Sequence, residues 1–388
     1  MSDPTIAVVG AGVGGLTAAI ALRRCGHRVA VYEQAPRFTR LGADVNLTPN
    51  AVLALDGLGV GARLRETAAR PTHRISRTWD TGRETSRIAM SDEAERAYGA
   101  PQLTIHRADL LRALEDALPA NTIRLGRQLV AAEAAGDQAV ARFADGSAER
   151  VDLLVGADGI HSVVRQRLIG ADAPRFTGLV AFRAVVPTER LRALELPNVG
   201  AFTKWWGPDS HTQIVTFPLS RGAETFVFAT IGQESWREES WTLPGSVAEL
   251  RALYADFHPE ARALLDACDE VLKTALYERD PLPRWSTSHA TLLGDACHPM
   301  LPFMAQGAAM AVEDAVVLAR CLTGCQAPEL PAALRRYERS RIDRTATIQR
   351  SSRHNTWLKS DTDASWVYGY DAWEVPIDAE ATTPDARP

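Results

Sequence analysis

The run GAGVGG puts Gly10, Gly12 and Gly15 in one turn, and a carboxylate, Glu33, follows 23 residues after Gly10. These residue types suit phosphate chemistry. Gly10 permits a tight turn, Gly12 lets backbone N–H groups approach a pyrophosphate, and Gly15 lets a helix pack on the strand before it. The helix N-terminus then faces the phosphates, and Glu33 accepts from ribose hydroxyls. Gly14 in the same run and Gln34 beside the acid complete this candidate site. The pattern points to dinucleotide binding and leaves flavin against nicotinamide open.

Two later stretches add to it. GADGIHSVVR (156–165) follows an apolar run and sets Asp158 and Gly159 in a turn. LLGDACHPMLPFMAQGAAMAVEDA (292–315) reads as a strand, an acid-bearing turn, a loop and a helix. Asp295 at the strand end can hold a second polyol. The helix starting near Gln306 offers N–H groups to an anionic ring, and Gly307 and Ala308 leave room for a flat cofactor.

The elements that must position these residues are legible. TIAVV (5–9) is a buried strand, LTAAIALRR a helix stopped at Gly26, and RVAVY (28–32) a second strand. ADLLRALEDAL (108–118) is an amphipathic helix, and strands follow around 122–131, 138–144 and 151–156. From 177 to 231, LVAFRAVV, GAFTKWW, HTQIVTF and ETFVFATI are strand-like and lack intervening helix patterns, so they predict an antiparallel sheet. Helices return at about 246–268 and from about 305 to 356, with a break near Pro328 to Pro331. The last stretch, EATTPDARP, reads as disordered. This predicts a nucleotide-binding region in two parts, 1–175 and 281–325, around a sheet lobe at 176–280, with a C-terminal helix and tail at 326–388.

Composition narrows the function classes. The chain has 388 residues, 46% hydrophobic and 23% charged, which excludes a largely disordered chain. The net charge of −5 argues against a nucleic-acid binder. The run from Thr5 to Leu22 holds four glycines and follows Asp3 without a basic start, so neither a membrane span nor a signal peptide is expected. Five scattered cysteines without a CxxC fit a reducing cytoplasm and no metal site.

With GAGVGG, Asp158–Gly159 and Gly294–Asp295 in this order, the chain resembles the class A flavoprotein aromatic hydroxylases of the p-hydroxybenzoate and salicylate hydroxylase type. The resemblance implies an α/β fold: a Rossmann-like FAD-binding domain, an inserted antiparallel-sheet substrate domain and C-terminal helices. It implies FAD held throughout the cycle, NADH or NADPH as a transient co-substrate, and dioxygen delivered through a flavin C4a-hydroperoxide to a small aromatic or heteroaromatic ring, with or without decarboxylation. It places Arg107 by the pyrophosphate and ribityl chain, with Arg40 and Leu129 nearby. Asp295 would hold the ribityl or pyrophosphate region, Gly307 and Ala308 the flavin edge, and Asp158 the glycine turn as scaffold. A monomer or homodimer is expected. An FAD-dependent oxidase or dehydrogenase on the same fold and a non-catalytic flavin-binding redox protein are the alternatives.

Stretches such as EQAPRFTRLGA, TIHRADL, KWW with His211, and MAQGAAMAVEDA resemble the hydroxynicotinate-hydroxylating branch of that family. The branch implies His, Tyr and His where this chain has Asn46, Val215 and Phe303, while His211 keeps its type. Asn46 and His211 are therefore the catalytic candidates, and Gln213, Val215, Pro302 and Phe303 join them as substrate-binding candidates. The three replacements predict a more apolar pocket and a preferred ring other than 6-hydroxynicotinate. His106 and His298 read as structural. Trp205, Trp206, Phe217, Phe226 and Phe228 read as core with one or two pocket walls. The seven arginines of helix 331–353 read as a solvated or interface face.

Overall fold

Thr5–Val9 lies between two parallel neighbours, Arg28–Tyr32 and Leu153–Gly156, and Ala290–Leu292 extends the sheet beyond the latter. Ile123–Arg124 closes the other edge of this five-stranded parallel sheet. Strands buried on both faces read as continuous apolar runs, and TIAVV does so. The computed structural model describes residues 3–38, 44–170, 172–236, 243–359 and 363–377. Arg40 and the expected disordered tail lie outside the described residues.

Helices Val13–Arg24 and Gly307–Leu322 pack closely: a Cβ on Gly14 would come within 2.6 Å of Leu293 and 3.1 Å of Ala311. Gly14 is thus a packing glycine. Residue 15 is more constrained still, because a Cβ there would stand 1.9 Å from the Gly10 carbonyl oxygen. A short antiparallel sheet, Leu129–Ala135, Gln138–Phe143 and Ala148–Val151, flanks the parallel one.

The second lobe is an eight-stranded sheet. Its strand order is Pro244–Gly245, Val271–Glu278, Arg175–Pro187, Glu224–Gly232, Gln213–Leu219, Phe202–Trp206, His73–Thr78 and Glu84–Ala89. The four runs read from sequence form its antiparallel centre. Its last two strands come from the segment before residue 175, and His73–Thr78 pairs in parallel with Phe202–Trp206. One face, with Val180, Trp205, Ile214 and Val227, packs on two helices, Val247–Leu253 and Pro259–Asp266. The break between these helices falls at His258–Pro259, where the His258 ring caps the second one. The opposite face, with Val215, Phe217, Phe226 and Phe228, meets Leu301 and Phe303 from the loop after Asp295. The sheet therefore closes over the nucleotide-binding fold.

The C-terminal helix Leu330–Ser352 corrects the sequence reading of its arginines. Arg341 is completely buried and Arg344 nearly so. Their acidic partners lie on a different helix, which the pattern along 331–353 does not reveal. Among the described residues, no helix is long and apolar enough to cross a membrane.

Candidate active site

The site begins at the glycine turn. Gly10 has φ of +101°, and a Cβ there would strike the Ala157 carbonyl at 2.4 Å, so only glycine fits. Gly12 is different. A Cβ there would meet only Arg107 Nη2, at 3.9 Å, which leaves open space between backbone and guanidinium. The helix that follows has no side-chain cap, so its first N–H groups face that space. Glu33 sits across the turn and accepts from the Ala11 and Ala35 N–H groups, both at 2.8 Å. Gln34 beside it is exposed. Segment 126–127 hydrogen-bonds to the backbone of residues 33–35, which brings the buried Leu129 to the same end. A gap lined by backbone N–H groups and a guanidinium, with an acid at one end, is the arrangement a dinucleotide needs.

Asp295 marks the other end. Protein crowding raises its carboxyl above the ordinary value, against the pull of His298 and Arg107, yet the residue is exposed. Both hold because Asp295 lines a crevice, ringed by protein but open to solvent. Gly307 follows close by, since a Cβ on it would lie 3.9 Å from Asp295 Oδ1. Gly307 and Ala308 open a helix without a side-chain cap. Asp158 stands apart as a helix cap: it accepts from Ser162 Oγ and from the Val163 and Val164 N–H groups at 2.8 and 3.2 Å.

The helix Gly307–Leu322 is held by a buried polar network. Gln306 Nε2 donates to Thr48 Oγ1 at 2.9 Å, and Asn50 Nδ2 donates to Gln306 Oε1 at 3.1 Å and to Glu313 Oε1 at 2.6 Å. Glu313 also binds Arg341 at 2.8 Å, and both Arg344 Nε and Nη2 at 2.8 and 2.9 Å. Asp314 accepts from Arg341 Nε at 2.8 Å, from the Gly294 N–H at 3.0 Å, and pairs with His298 Nε2 at 2.6 Å. Burial alone would raise the Asp314 carboxyl, but His298 and Arg341 outweigh it and hold it at about 2. His298 thus has a structural role beside Asp314. His106 is structural too: its Nδ1 accepts from the Ala108 N–H and caps the helix Arg107–Asp116.

Facing the crevice is the large sheet. Strand pairing puts Arg183, Phe228, Val215 and Lys204 in one row across its face. Phe303 packs in the same cluster as Val215 and Phe228, and Pro302 beside it is exposed. Asn46 lies on Asp44–Leu47, alternating with the core residues Val45 and Leu47. Its Oδ1 accepts from Gln102 Nε2 at 2.6 Å, while Asn46 Nδ2 and Gln102 Oε1 are buried without partners. The pair offers one donor and one acceptor. Gln213 Oε1, two residues before Val215 and on its face, is also buried and unsatisfied.

His211 departs from its expected strand. It precedes Gln213, where the strand begins, and is exposed in a turn whose shape Asp209 sets by accepting from the His211 and Thr212 N–H groups. Its ring lies near Gly232, whose added Cβ would be 3.8 Å from Nδ1.

Sequence reasoning missed Asp44, Arg183, Gln102 and Lys204. Burial pushes the Asp44 carboxyl up to about 6 against the pull of Arg183 and Arg107, so this acid stands between the two lobes' arginines. Burial brings Arg183 down to about 10 despite Asp44. The period-2 pattern of AFRAVV could have flagged Arg183, a charge at an inward position.

A profile of the FAD binding domain family matches residues 3–352. The chain is 43% identical to 6-hydroxynicotinate 3-monooxygenase of Pseudomonas fluorescens over 377 residues, covering 97% of each. Among solved structures it is similar to a salicylate hydroxylase substrate complex, with a TM-score of 0.83, 26% identity and 96% of each chain covered. It is also similar to Klebsiella pneumoniae HpxO complexed with FAD and uric acid, with a TM-score of 0.81, 27% identity, and 93% and 90% of the two chains covered.

Proposed function

The chain belongs to the FAD binding domain family and is an NAD(P)H-dependent flavoprotein aromatic monooxygenase; from that premise we propose that its aromatic or N-heteroaromatic substrate lies on the sheet face around Val215. The observation that carries this reading is the crevice itself. Gly12 with Arg107 and Asp295 with Gly307 would line it, and Phe303 packs with Val215 and Phe228 of the row that also holds Arg183 and Lys204.

The residues fit FAD. The open space at Gly12 and Arg107 suits its pyrophosphate, Glu33 its adenosine ribose, Asp295 its ribityl region, and the uncapped helix at Gly307 and Ala308 its ring edge. The chemistry supplied by FAD bound there would be hydride acceptance from the nicotinamide nucleotide and activation of dioxygen for transfer of one oxygen atom to the ring. The protein orients that ring and excludes water. Val215, Phe228 and Phe303 supply apolar contact, while Asn46 and Gln102 offer a donor and an acceptor to a ring hydroxyl or ring nitrogen. His211 is the group assigned to take a proton from that hydroxyl. Asn, Val and Phe at 46, 215 and 303 make 6-hydroxynicotinate a poor fit. The unpaired cysteines support a cytoplasmic setting.

The test is NADH consumption by FAD-loaded protein across hydroxylated benzoates, nicotinates and aminobenzoates, with oxygen uptake and product mass followed together. Stimulated consumption with a product one oxygen atom heavier, or with hydroxyl in place of carboxylate, is expected. Substrate oxidation without oxygen incorporation would move the reading to an oxidase or dehydrogenase. Gly12→Val should abolish FAD retention without unfolding the protein, because the added side chain enters the open space.

A further inference from the structure

Thr48 and Gln306 each stand at the N-terminal cap of a helix, Pro49–Gly57 and Gly307–Leu322, and neither side chain caps its own helix. Threonine is a preferred capping residue, so its use elsewhere needs a reason. The two side chains meet each other instead. Gln306 Nε2 donates to Thr48 Oγ1 at 2.9 Å, Thr48 Oγ1 donates to Asn50 Oδ1 at 2.7 Å, and Asn50 Nδ2 returns to Gln306 Oε1 at 3.1 Å. The three side chains thus close a ring of hydrogen bonds, and none is more than 1% exposed. Asn50 Nδ2 also donates to Glu313 Oε1, which ties the ring to the acid that Arg341 and Arg344 hold.

The ring sits where three pieces of the site join. Thr48 follows the strand Asp44–Leu47 that carries Asn46. Gln306 ends the loop that packs Phe303 with Val215 and Phe228. Gly307 and Ala308 come next and are partly exposed. Ala305, immediately before Gln306, is held at φ of +56°, a left-handed conformation that residues other than glycine adopt at a cost and that surrounding contacts must enforce. The ring supplies such contacts one residue away. It also leaves the first N–H groups of the helix Gly307–Leu322 without a side-chain cap. A Gln306 side chain turned onto its own helix would fill the space in front of them.

We propose that Thr48, Asn50 and Gln306 are positioning residues: their ring aims the N–H groups at the start of the helix Gly307–Leu322 toward the flavin, and so sets the cofactor's reduction potential. The inference rests on the reading of Gly307 and Ala308 as partners of the flavin ring edge. N–H groups at a helix start favour negative charge in front of them. Two-electron reduction adds electron density to the flavin, so these groups hold reduced FAD more tightly than oxidised FAD and raise the potential. The hydrogen-bonded ring carries no charge and acts through direction alone. Each of its three side chains is fixed to both of the others, so the helix start is tied to the segment that follows the Asn46 strand and keeps its aim.

The experiment is a spectroelectrochemical titration of the FAD holoenzyme, without substrate, run alongside thermal unfolding. Thr48→Val keeps the branched side chain and removes the hydroxyl, which breaks both of the ring's bonds at that residue. Gln306→Leu opens the ring from the other side. Either variant should hold reduced FAD, relative to oxidised FAD, about tenfold less tightly than the wild type does, which lowers the two-electron potential by about 30 mV. Thr48→Ser keeps the hydroxyl and should keep the wild-type potential. A merely structural ring would lower the unfolding temperature and leave the potential of the FAD-loaded variants alone, and that result overturns the proposal. Ala308→Pro tests the underlying reading separately. It removes one N–H in the first helical turn, where proline is tolerated, and should lower the potential with the ring intact. If Ala308→Pro lowers the potential and Thr48→Val does not, the ring's role alone fails. If Ala308→Pro leaves the potential unchanged, the flavin-edge reading fails and the proposal with it. Should Gln306→Leu not fold, Thr48→Val against Thr48→Ser decides.

Discussion

Two buried groups of charges, one on the helix Gly307–Leu322 and one on the face of the large sheet, are built on opposite principles. Along the helix Gly307–Leu322, Glu313 and Asp314 meet Arg341 and Arg344, with His298 and Asn50 filling remaining positions. Acids and bases balance there, and Arg341 has an acceptor on each of its three nitrogens: Asp314 Oδ1, the Tyr370 hydroxyl, and Glu313 Oε2 with Met310 Sδ. On the sheet face, Lys204 and Arg74 have like-charged neighbours and spare donors. The first assembly is complete within the chain. Among the described residues, no carboxylate answers the second. Burial of charge alone therefore does not make a balanced unit; the partners do.

Removing one cation from each group should have opposite effects on stability. Arg341→Met leaves two carboxylates buried without their shared partner, and stability should fall by about 3–5 kcal/mol in urea unfolding. FAD should be lost with it, because Asp314 fixes the Gly294 N–H of the turn that carries Asp295. A loss under about 1 kcal/mol would mean that the assembly is not a balanced unit.

A smaller effect concerns acid. The Asp314 carboxyl is held at about 2 in the folded protein, below its ordinary value of 3.8. A group depressed on folding adds stability above its unfolded value, and that stability is lost as pH falls through the folded one. Thermal unfolding temperature should therefore drop between about pH 4 and pH 2, and Asp314→Asn should flatten that limb while lowering stability at neutral pH. An unchanged acid limb in the variant would remove Asp314 from the ion-pair unit.

The smallest change should carry the opposite sign. Lys204→Met removes a buried cation that has no acid partner among the described residues, and substitutes an apolar chain of similar length. The ligand-free protein should be equally stable or more stable, by about 1 kcal/mol. A marked loss of stability would show Lys204 to be structural.

The sequence made one side of this comparison far more legible than the other. The glycine turn, Asp158–Gly159 and Gly294–Asp295 are local: spacing along a few residues determines the backbone, so their places follow from the chain itself. Glu33 belongs with them because one strand and one helix separate it from Gly10. The balanced network was hidden because Arg341 and Arg344 find their acids on a different helix, and no pattern within 331–353 betrays partners at 313 and 314. His73–Thr78 escaped notice for a similar reason, since its partner strand Phe202–Trp206 lies far along the chain and pairs in parallel. Lys204 was overlooked within KWW because a single lysine amid aromatics carries no period. His211 was placed on a strand that in fact starts two residues later, because the Asp209 turn competes with the ladder.

The order of strands in the parallel sheet has a bearing on how the chain is made. Ala290–Leu292 pairs with Leu153–Gly156, but the whole of the large sheet's centre is encoded between them. On the ribosome, Leu153–Gly156 therefore emerges with one edge bare and waits through the synthesis of the entire second lobe. An apolar edge left open for that interval is a template for pairing with another nascent chain. The contact is of high sequence separation, so its closure comes late and slowly. The turn bearing Asp295 forms only when that strand arrives, so a chain cut before residue 290 has the glycine turn without Asp295 and the helix Gly307–Leu322 that packs beside it.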